Sequence, residues 1–212
     1  MSLAELRREY TRAGLQESEV DRDPFVQFQR WLDEAIAADL TEPNAMILAT
    51  VDAHGKPSTR TVLLKGFDSR GFRFFSNYES RTARDLEASS AAALTFPWIA
   101  FERQVNIEGT VSRLSRQESE DYFKVRPRGS RLGAWASHQS TVVAGREVLE
   151  QQMKEFEARY PGDDIPMPPN WGGFVVAPQS IEFWQGRPNR LHDRLRYTRA
   201  DASGWKLERL SP

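Results

Sequence analysis

The first clear pattern along the chain is helical. Asp23-Pro24 reads as a helix start, since Asp caps free backbone amides and Pro is tolerated at the first helical position. Phe25, Phe28, Trp31, Leu32, Ala35 and Ile36 follow at helical spacing, and the helix should stop before Thr41-Glu42-Pro43-Asn44. The period then changes. Ala45 to Val51 is a short apolar run, Asp52-Ala53-His54-Gly55 reads as a hairpin turn, and Pro57 to Lys65 is a second strand. Phe67 to Gly71 turns the chain into a third strand with Phe72, Phe74 and Phe75. Ser80 caps a helix to about Ala88, and Ala91–Trp98 and Gln104–Leu114 read as two more strands.

Ser115-Arg116-Gln117-Glu118 has the capping-box pattern, so a helix should run to Arg126, where Pro127 disfavours further helix. Residues 145–160 read as an amphipathic helix and Pro161 to Pro169 as a loop. Gly173–Ala177, Ser180–Gln185 and Leu191–Arg199 are late strands, and Asp201-Ala202-Ser203-Gly204 turns into a last one near Trp205–Arg209. The expected class is α+β, mainly β: an antiparallel meander closing toward a barrel, with flanking helices. One domain over 1–212 is expected, with residues 1–20 as a mobile arm.

Composition narrows the classes of function. The chain has 212 residues, with 29 Lys plus Arg against 30 Asp plus Glu. That balance argues against a general nucleic-acid binder. There is no cysteine, hence no disulfide framework and no thiol nucleophile. No apolar run approaches the roughly 18 residues of a membrane span, and the N-terminus lacks a secretory pattern. A cytoplasmic protein is expected. His54, His138 and His192 are far apart in sequence and no HExxH motif occurs, so no metal site is expected. There is no Walker-type loop and no GxGxxG.

Candidate chemistry lies in basic residues beside hydroxyls and amides. Arg60 and Lys65, five residues apart, should face opposite sides of an ideal strand. Ser80-Arg81-Thr82 opens a helix, where free amides favour an anion; an ordinary cap with a solvated Arg is the blander alternative. Tyr122, Arg126 and Ser130 form a second possible anion cluster, with Tyr122 and Arg126 four apart on one helix face; a surface helix end is the alternative. Arg128 and Arg131 add local positive charge or are merely solvated. Arg190, His192 and Arg194 alternate onto one face of a strand, around an anion or an electron-rich ring, or toward solvent.

Taken together these blocks resemble the pyridoxamine 5′-phosphate oxidase family. They are RREY at 7–10, RTVLLK at 60–65, SR at 80–81, RQV at 103–105, YFKVRPRGSRLGAWAS at 122–137, HQS at 138–140, WGG at 171–173, EFWQGRPNRLHDR at 182–194 and the final ERLSP. The resemblance spans almost the whole chain. It implies an FMN-binding split β-barrel working as a homodimer, with the flavin at the subunit interface. It also implies oxidation of pyridoxamine or pyridoxine 5′-phosphate to pyridoxal 5′-phosphate, with O2 as acceptor and H2O2 as product.

By matching motif, the resemblance assigns FMN contacts to Arg60, Thr61, Val62, Leu63, Leu64, Lys65, Phe75, Ser76, Arg81, Thr82, Gln104, Gln139, Ser140, Trp184 and Arg194. It assigns the substrate phosphate to Lys65, Tyr122, Arg126 and Ser130, and the substrate ring to Arg190, Leu191 and His192. Arg190 and His192 are the implied catalytic pair, Arg190 steering the ring and His192 orienting substrate or assisting a proton. Arg7, Arg8, Glu9 and Tyr10 are the implied arm that closes over the site. Two other readings compete: an FMN oxidase of the phenazine-biosynthesis branch, and a non-catalytic flavin or pyridoxal-phosphate carrier.

One departure stands out. The family usually reads Ser-Arg-Lys where this chain has Ser80-Arg81-Thr82, which removes a cation from the FMN phosphate site; Thr82 can still donate its hydroxyl and backbone amide, and Arg84 compensates if the helix geometry allows. Thr82→Lys is therefore expected to tighten FMN binding in a fluorescence titration. No tightening would show that the lost cation does not limit affinity.

Overall fold

Helix α1 (Pro24–Ala37) starts where the sequence indicates: the Asp23 carboxylate accepts the Phe25 amide at 2.8 Å and Pro24 occupies the first turn. The computed structural model describes residues 2–6, 9–200 and 204–212. Arg7, Arg8 and positions 201–203 of the last expected turn lie outside the described residues. Phe28 meets the rings of Phe67, Phe72 and Phe96 at 4.8–5.0 Å between centroids, and Trp31 meets Phe183 at 5.1 Å. Ile36, expected on the buried face, is exposed. No described helix is long and apolar enough to cross a membrane.

Among the described residues nine strands form one antiparallel sheet. They are β1 (Ala45–Val51), β2 (Pro57–Leu63), β3 (Gly66–Asp68), β4 (Gly71–Asn77), β5 (Ala91–Trp98), β6 (Arg103–Arg113), β7 (Trp171–Gln185), β8 (Asp193–Ala200) and β9 (Gly204–Arg209). The order is β2-β1-β5-β6-β7-β4-β3, with β8 also on β7 and β9 on β8. This makes a curled half-barrel, mainly β, with flanking helices. Residues 66–68, expected as part of a turn, form β3 against β4.

The expected pair of strands at 173–177 and 180–185 is one strand, β7. Pro178 breaks the apolar pattern but not the strand. The partner β6 runs along both halves, and the register steps between Glu108 and Gly109 to pass over Gln179. Such a bulge tolerates a proline that cannot donate to the ladder. A Cβ at Gly109 would overlap the Ala177 carbonyl, so only glycine permits this approach. On its other edge β7 pairs first with β4 through 171–176, then with β8 through 180–185.

Helix α2 (Arg81–Ser89) is capped by Ser80, whose hydroxyl accepts the Ala83 amide at 3.2 Å. Helix α3 (Arg116–Lys124) has the full capping box of Ser115 and Glu118. Helix α4 (Arg128–Ala136) has no counterpart in the sequence pattern. It contains Gly129 and Gly133 and no side chain caps its start. It is held from outside: Arg128 donates to the Tyr160 carbonyl at 2.6 Å, Arg131 to Asp163 at 2.7 Å and Trp135 to Pro166 at 2.8 Å. Arg128 and Arg131 are thus clamps on the proline-rich loop, not solvated cations. Helix α5 (Arg146–Arg159) rests Phe156 near Trp135, with centroids 5.7 Å apart.

The Ser115 hydroxyl, then Arg70 and the Ser115 amide, hold the Glu118 carboxyl down at about 2, from 4.5. Arg209, chiefly, holds Glu17 at about 2 from the same reference. Both folded-state values lie below the unfolded one, so this stabilisation is present above pH 4.5 and drains as pH falls toward 2. Glu118→Gln is expected to flatten the pH dependence of the urea midpoint across that window. An unaltered slope would show that the capping box adds no pH-linked stability.

Candidate active site

A cavity of about 490 Å³ opens between β2, β4, the start of α2 and the end of α3. Such a volume suits a small ligand. Arg60, Thr61, Val62, Leu63 and Lys65 line it from β2 and just beyond; Phe75, Ser76, Thr82, Tyr122, Arg126, Gln139 and Trp171 complete it. Its lining holds three cations and no carboxylate.

Arg60 and Lys65 therefore face one cavity, against the expectation of opposite faces. The reason is local: β2 ends at Leu63, and Leu64 turns into the core, 5% exposed, with its amide on the Asn44 carbonyl at 2.9 Å. Strand alternation has stopped before Lys65. It also follows that the Leu64 side chain belongs to the core. Arg60 is braced from behind, donating to Thr50 Oγ1 at 2.6 Å and Ser58 Oγ at 2.7 Å. Both hydroxyls donate to the buried Asp85 carboxylate, at 2.7 and 3.0 Å. Burial lowers the Arg60 pKa and Asp85 works against that. Nothing in the sequence singled out Asp85, which acts only through long-range contacts; Trp171 stood in the WGG motif but was given no role.

Arg126 lies past the end of α3, so it does not share a helix face with Tyr122, yet both reach the cavity. Its guanidinium sits 4.6 Å from the Trp171 ring centroid, and Tyr122 stacks on Phe75 at 4.0 Å. Nη1 of Arg126 is buried without a hydrogen-bond partner, and burial pushes the Arg126 pKa down. A buried, unpartnered guanidinium nitrogen is costly unless an anion completes it. Arg126 also borders an adjoining cavity of about 300 Å³ lined by Ser130.

At the start of α2 the Arg81 amide donates to Ser140 Oγ at 3.2 Å and the Asn77 amide to Gln139 Oε1 at 3.4 Å, which brings the 138–140 motif to this helix end. Arg84 turns to the Glu79 carbonyl at 2.5 Å and does not line the cavity. It is therefore not placed to replace a cation at Thr82.

Six further candidates, Glu9, Tyr10, Gln104, Trp184, Arg190 and His192, line a second cavity of about 590 Å³ together with Leu6, Arg187 and Asn189; Leu191 and Arg194 do not. The expected alternation of Arg190, His192 and Arg194 along one strand does not occur. β8 starts at Asp193, and Pro188–Arg190 is a tight turn with Asn189 and Arg190 at φ 57° and 60°. Left-handed backbone at Arg190 is a strained arrangement of the kind found at binding sites. Leu191 is exposed. Arg194 is already paired, bidentate on Glu182 at 2.8 and 2.9 Å, which raises its pKa. It does not line this cavity.

The N-terminal segment docks here. Thr11 and Arg12 amides donate to Glu102 Oε2 at 3.0 and 3.2 Å, and the Leu15 amide to Asp193 at 3.0 Å. The Tyr10 ring packs edge-on against Trp184, centroids 5.9 Å apart. A Cβ on Gly186 would lie 2.7 Å from Tyr10 Cγ, so the glycine makes the seat for this ring.

Residues 32–160 match the family described as pyridoxamine 5′-phosphate oxidase, and 171–212 match the pyridoxine 5′-phosphate oxidase C-terminal dimerisation region. The chain belongs to the pyridoxamine 5′-phosphate oxidase family. It is 60% identical to a pyridoxine/pyridoxamine 5′-phosphate oxidase of Burkholderia multivorans, over 100% of this chain and 99% of that one. It is 56% identical to the same-named protein of Nostoc punctiforme, with equal coverage. Among solved structures it resembles PhzG from Burkholderia lata in complex with tetrahydrophenazine-1-carboxylic acid, at TM-score 0.87 and 32% identity over 93% of this chain and 98% of that chain. A pyridoxamine 5′-phosphate oxidase-related, FMN-binding protein of Nostoc punctiforme shares the fold at TM-score 0.71 and 19% identity, covering 90% and 98%.

Gly186→Ala should unseat Tyr10 and loosen the segment before Glu102. Trypsin cleavage after Arg12 is then expected to accelerate relative to the wild type. Equal cleavage rates would mean that the seat does not hold the arm.

Proposed function

We propose that this family member is an FMN-dependent oxidase, one domain long, that converts pyridoxamine and pyridoxine 5′-phosphate to pyridoxal 5′-phosphate in the cytoplasm. The observation that carries the reading is the unpartnered Nη1 of Arg126, in a cavity with three cations and no carboxylate. That lining fits two phosphate-bearing molecules, the flavin and the substrate. Arg60, Lys65, Ser76 and Thr82 would hold FMN with the α2 start, Gln139 and Ser140; Lys65, Tyr122, Arg126 and Ser130 would clamp the substrate phosphate. When bound, FMN would supply the redox chemistry, a two-electron oxidation at the 4′ carbon with O2 as final acceptor and H2O2 as product, the amine substrate also taking up water and releasing ammonia. The phosphate clamp is remote from the reacting carbon, so its work is positioning. Arg190 and His192 would orient the ring, with Tyr10 covering it.

The two cavities share no lining residue. Trp171 and Trp184 lie thirteen residues apart on β7, one in each cavity, a contour length on the order of 40 Å at about 3.3 Å per residue. Within one chain the two sets of residues line separate cavities. A homodimer that sets the Arg126 half of one protomer against the Arg190 half of its partner would bring them together.

Anaerobic pyridoxamine 5′-phosphate is expected to bleach the absorbance of the FMN-loaded protein, with colour restored by air. A flavin that stays oxidised would turn the reading toward a phosphate-free ring substrate, as the likeness to PhzG suggests, or toward a carrier. Arg126→Ala should raise KM and Arg190→Ala should lower kcat. Co-expression of the two variants should restore activity through mixed dimers with one intact site. Absence of any restoration would place both halves of each site within one chain.

A further inference from the structure

His192 touches its surroundings in an asymmetric way. The Arg187 backbone amide donates to its Nδ1 at 3.1 Å. An amide N–H donates and never accepts, so Nδ1 must present its lone pair. Among the described residues nothing hydrogen-bonds to Nε2. The ring lies against Trp184 at 4.6 Å and Tyr10 at 5.8 Å between centroids, and it lines the second cavity.

The donor is itself firmly placed. Arg187 Nη1 donates to the Ala13 carbonyl at 3.1 Å, and its Nε lies 3.4 Å from Asp193 Oδ2. Asp193, next to His192 in sequence, is engaged elsewhere: Oδ2 accepts the Leu15 amide at 3.0 Å and Oδ1 accepts Arg209 at 2.6 Å. No carboxylate of the described residues is hydrogen-bonded to the imidazole as a proton relay would require.

We infer that His192 works as the neutral Nε2–H tautomer, a fixed hydrogen-bond donor aimed at an acceptor atom of the bound ring, and not as a base that removes a proton from the substrate. Arg187 is the positioning residue, because its amide selects the tautomer. The ligand class follows: a ring that carries an oxygen or nitrogen lone pair on the His192 side. This assignment rests on the proposed use of the cavity as the ring-binding half of the site.

The chain has only three histidines, and His54 and His138 are exposed. This allows a direct reading by long-range ¹H–¹⁵N correlation on the labelled full chain with FMN added, near neutral pH. His54→Asn and His138→Asn assign the other two rings and leave His192 intact. The expected pattern for His192 is one protonated nitrogen at ε2 and one bare nitrogen at δ1. A proton on Nδ1, or on both nitrogens, would overturn the inference. The tautomer is read without substrate, so its failure is distinct from failure of the oxidase reading, which the anaerobic reduction tests.

Discussion

The pairing of β6 with β7 governs the rest of this molecule. β7 is fifteen residues long, carries a proline in its interior, and continues only because β6 spans the defect with a one-residue register step. Gly109 lets the two backbones meet there. The continuous strand then offers one edge to β4 and then β8 in turn. Its first residue, Trp171, walls the cation-rich cavity, and Trp184 walls the other. The placement of the two cavities at opposite ends of β7 is thus a consequence of strand length.

Each half-site is built by a different physical device. In the first, charge is concentrated and left incomplete: Arg126 is desolvated with a nitrogen unpaired, while Arg60 is held by hydroxyls that Asp85 orders. In the second, Arg187 is paired with Asp193 at 3.4 Å, and Arg194 just beyond the cavity is held by Glu182. What remains is an aromatic wall, a strained turn and one imidazole fixed by a backbone amide. On the proposed reading the first takes phosphate groups and the second a flat ring.

The local elements were legible because their causes are local. Asp23, Ser80 and Ser115 cap helices within three residues of themselves, and the hairpin at 52–55 closes β1 on β2. Helix α4 was not legible, since its two glycines and uncapped start oppose it and its stability comes from carbonyls more than thirty residues away. The candidate site divides in the same way. Motif matching brought Tyr122, Arg126, Gln139 and the 60–65 block to one place, and the fold agrees for all but the buried Leu64. Strand periodicity failed at Lys65 and at Arg190, because both lie just outside the strands that the pattern extended over them.

Taken alone, the sequence determined the family and the order of most elements, and it named candidate residues for phosphate and ring recognition. Those depend on residue type and on spacing within a few positions. Tertiary structure decided which cations are paired, which nitrogen of His192 accepts a backbone amide, and that the candidate residues line two separate cavities of the chain. Those depend on which distant backbone groups come within about 3 Å of a side chain, and that distance is set by the register of strands far apart in the chain.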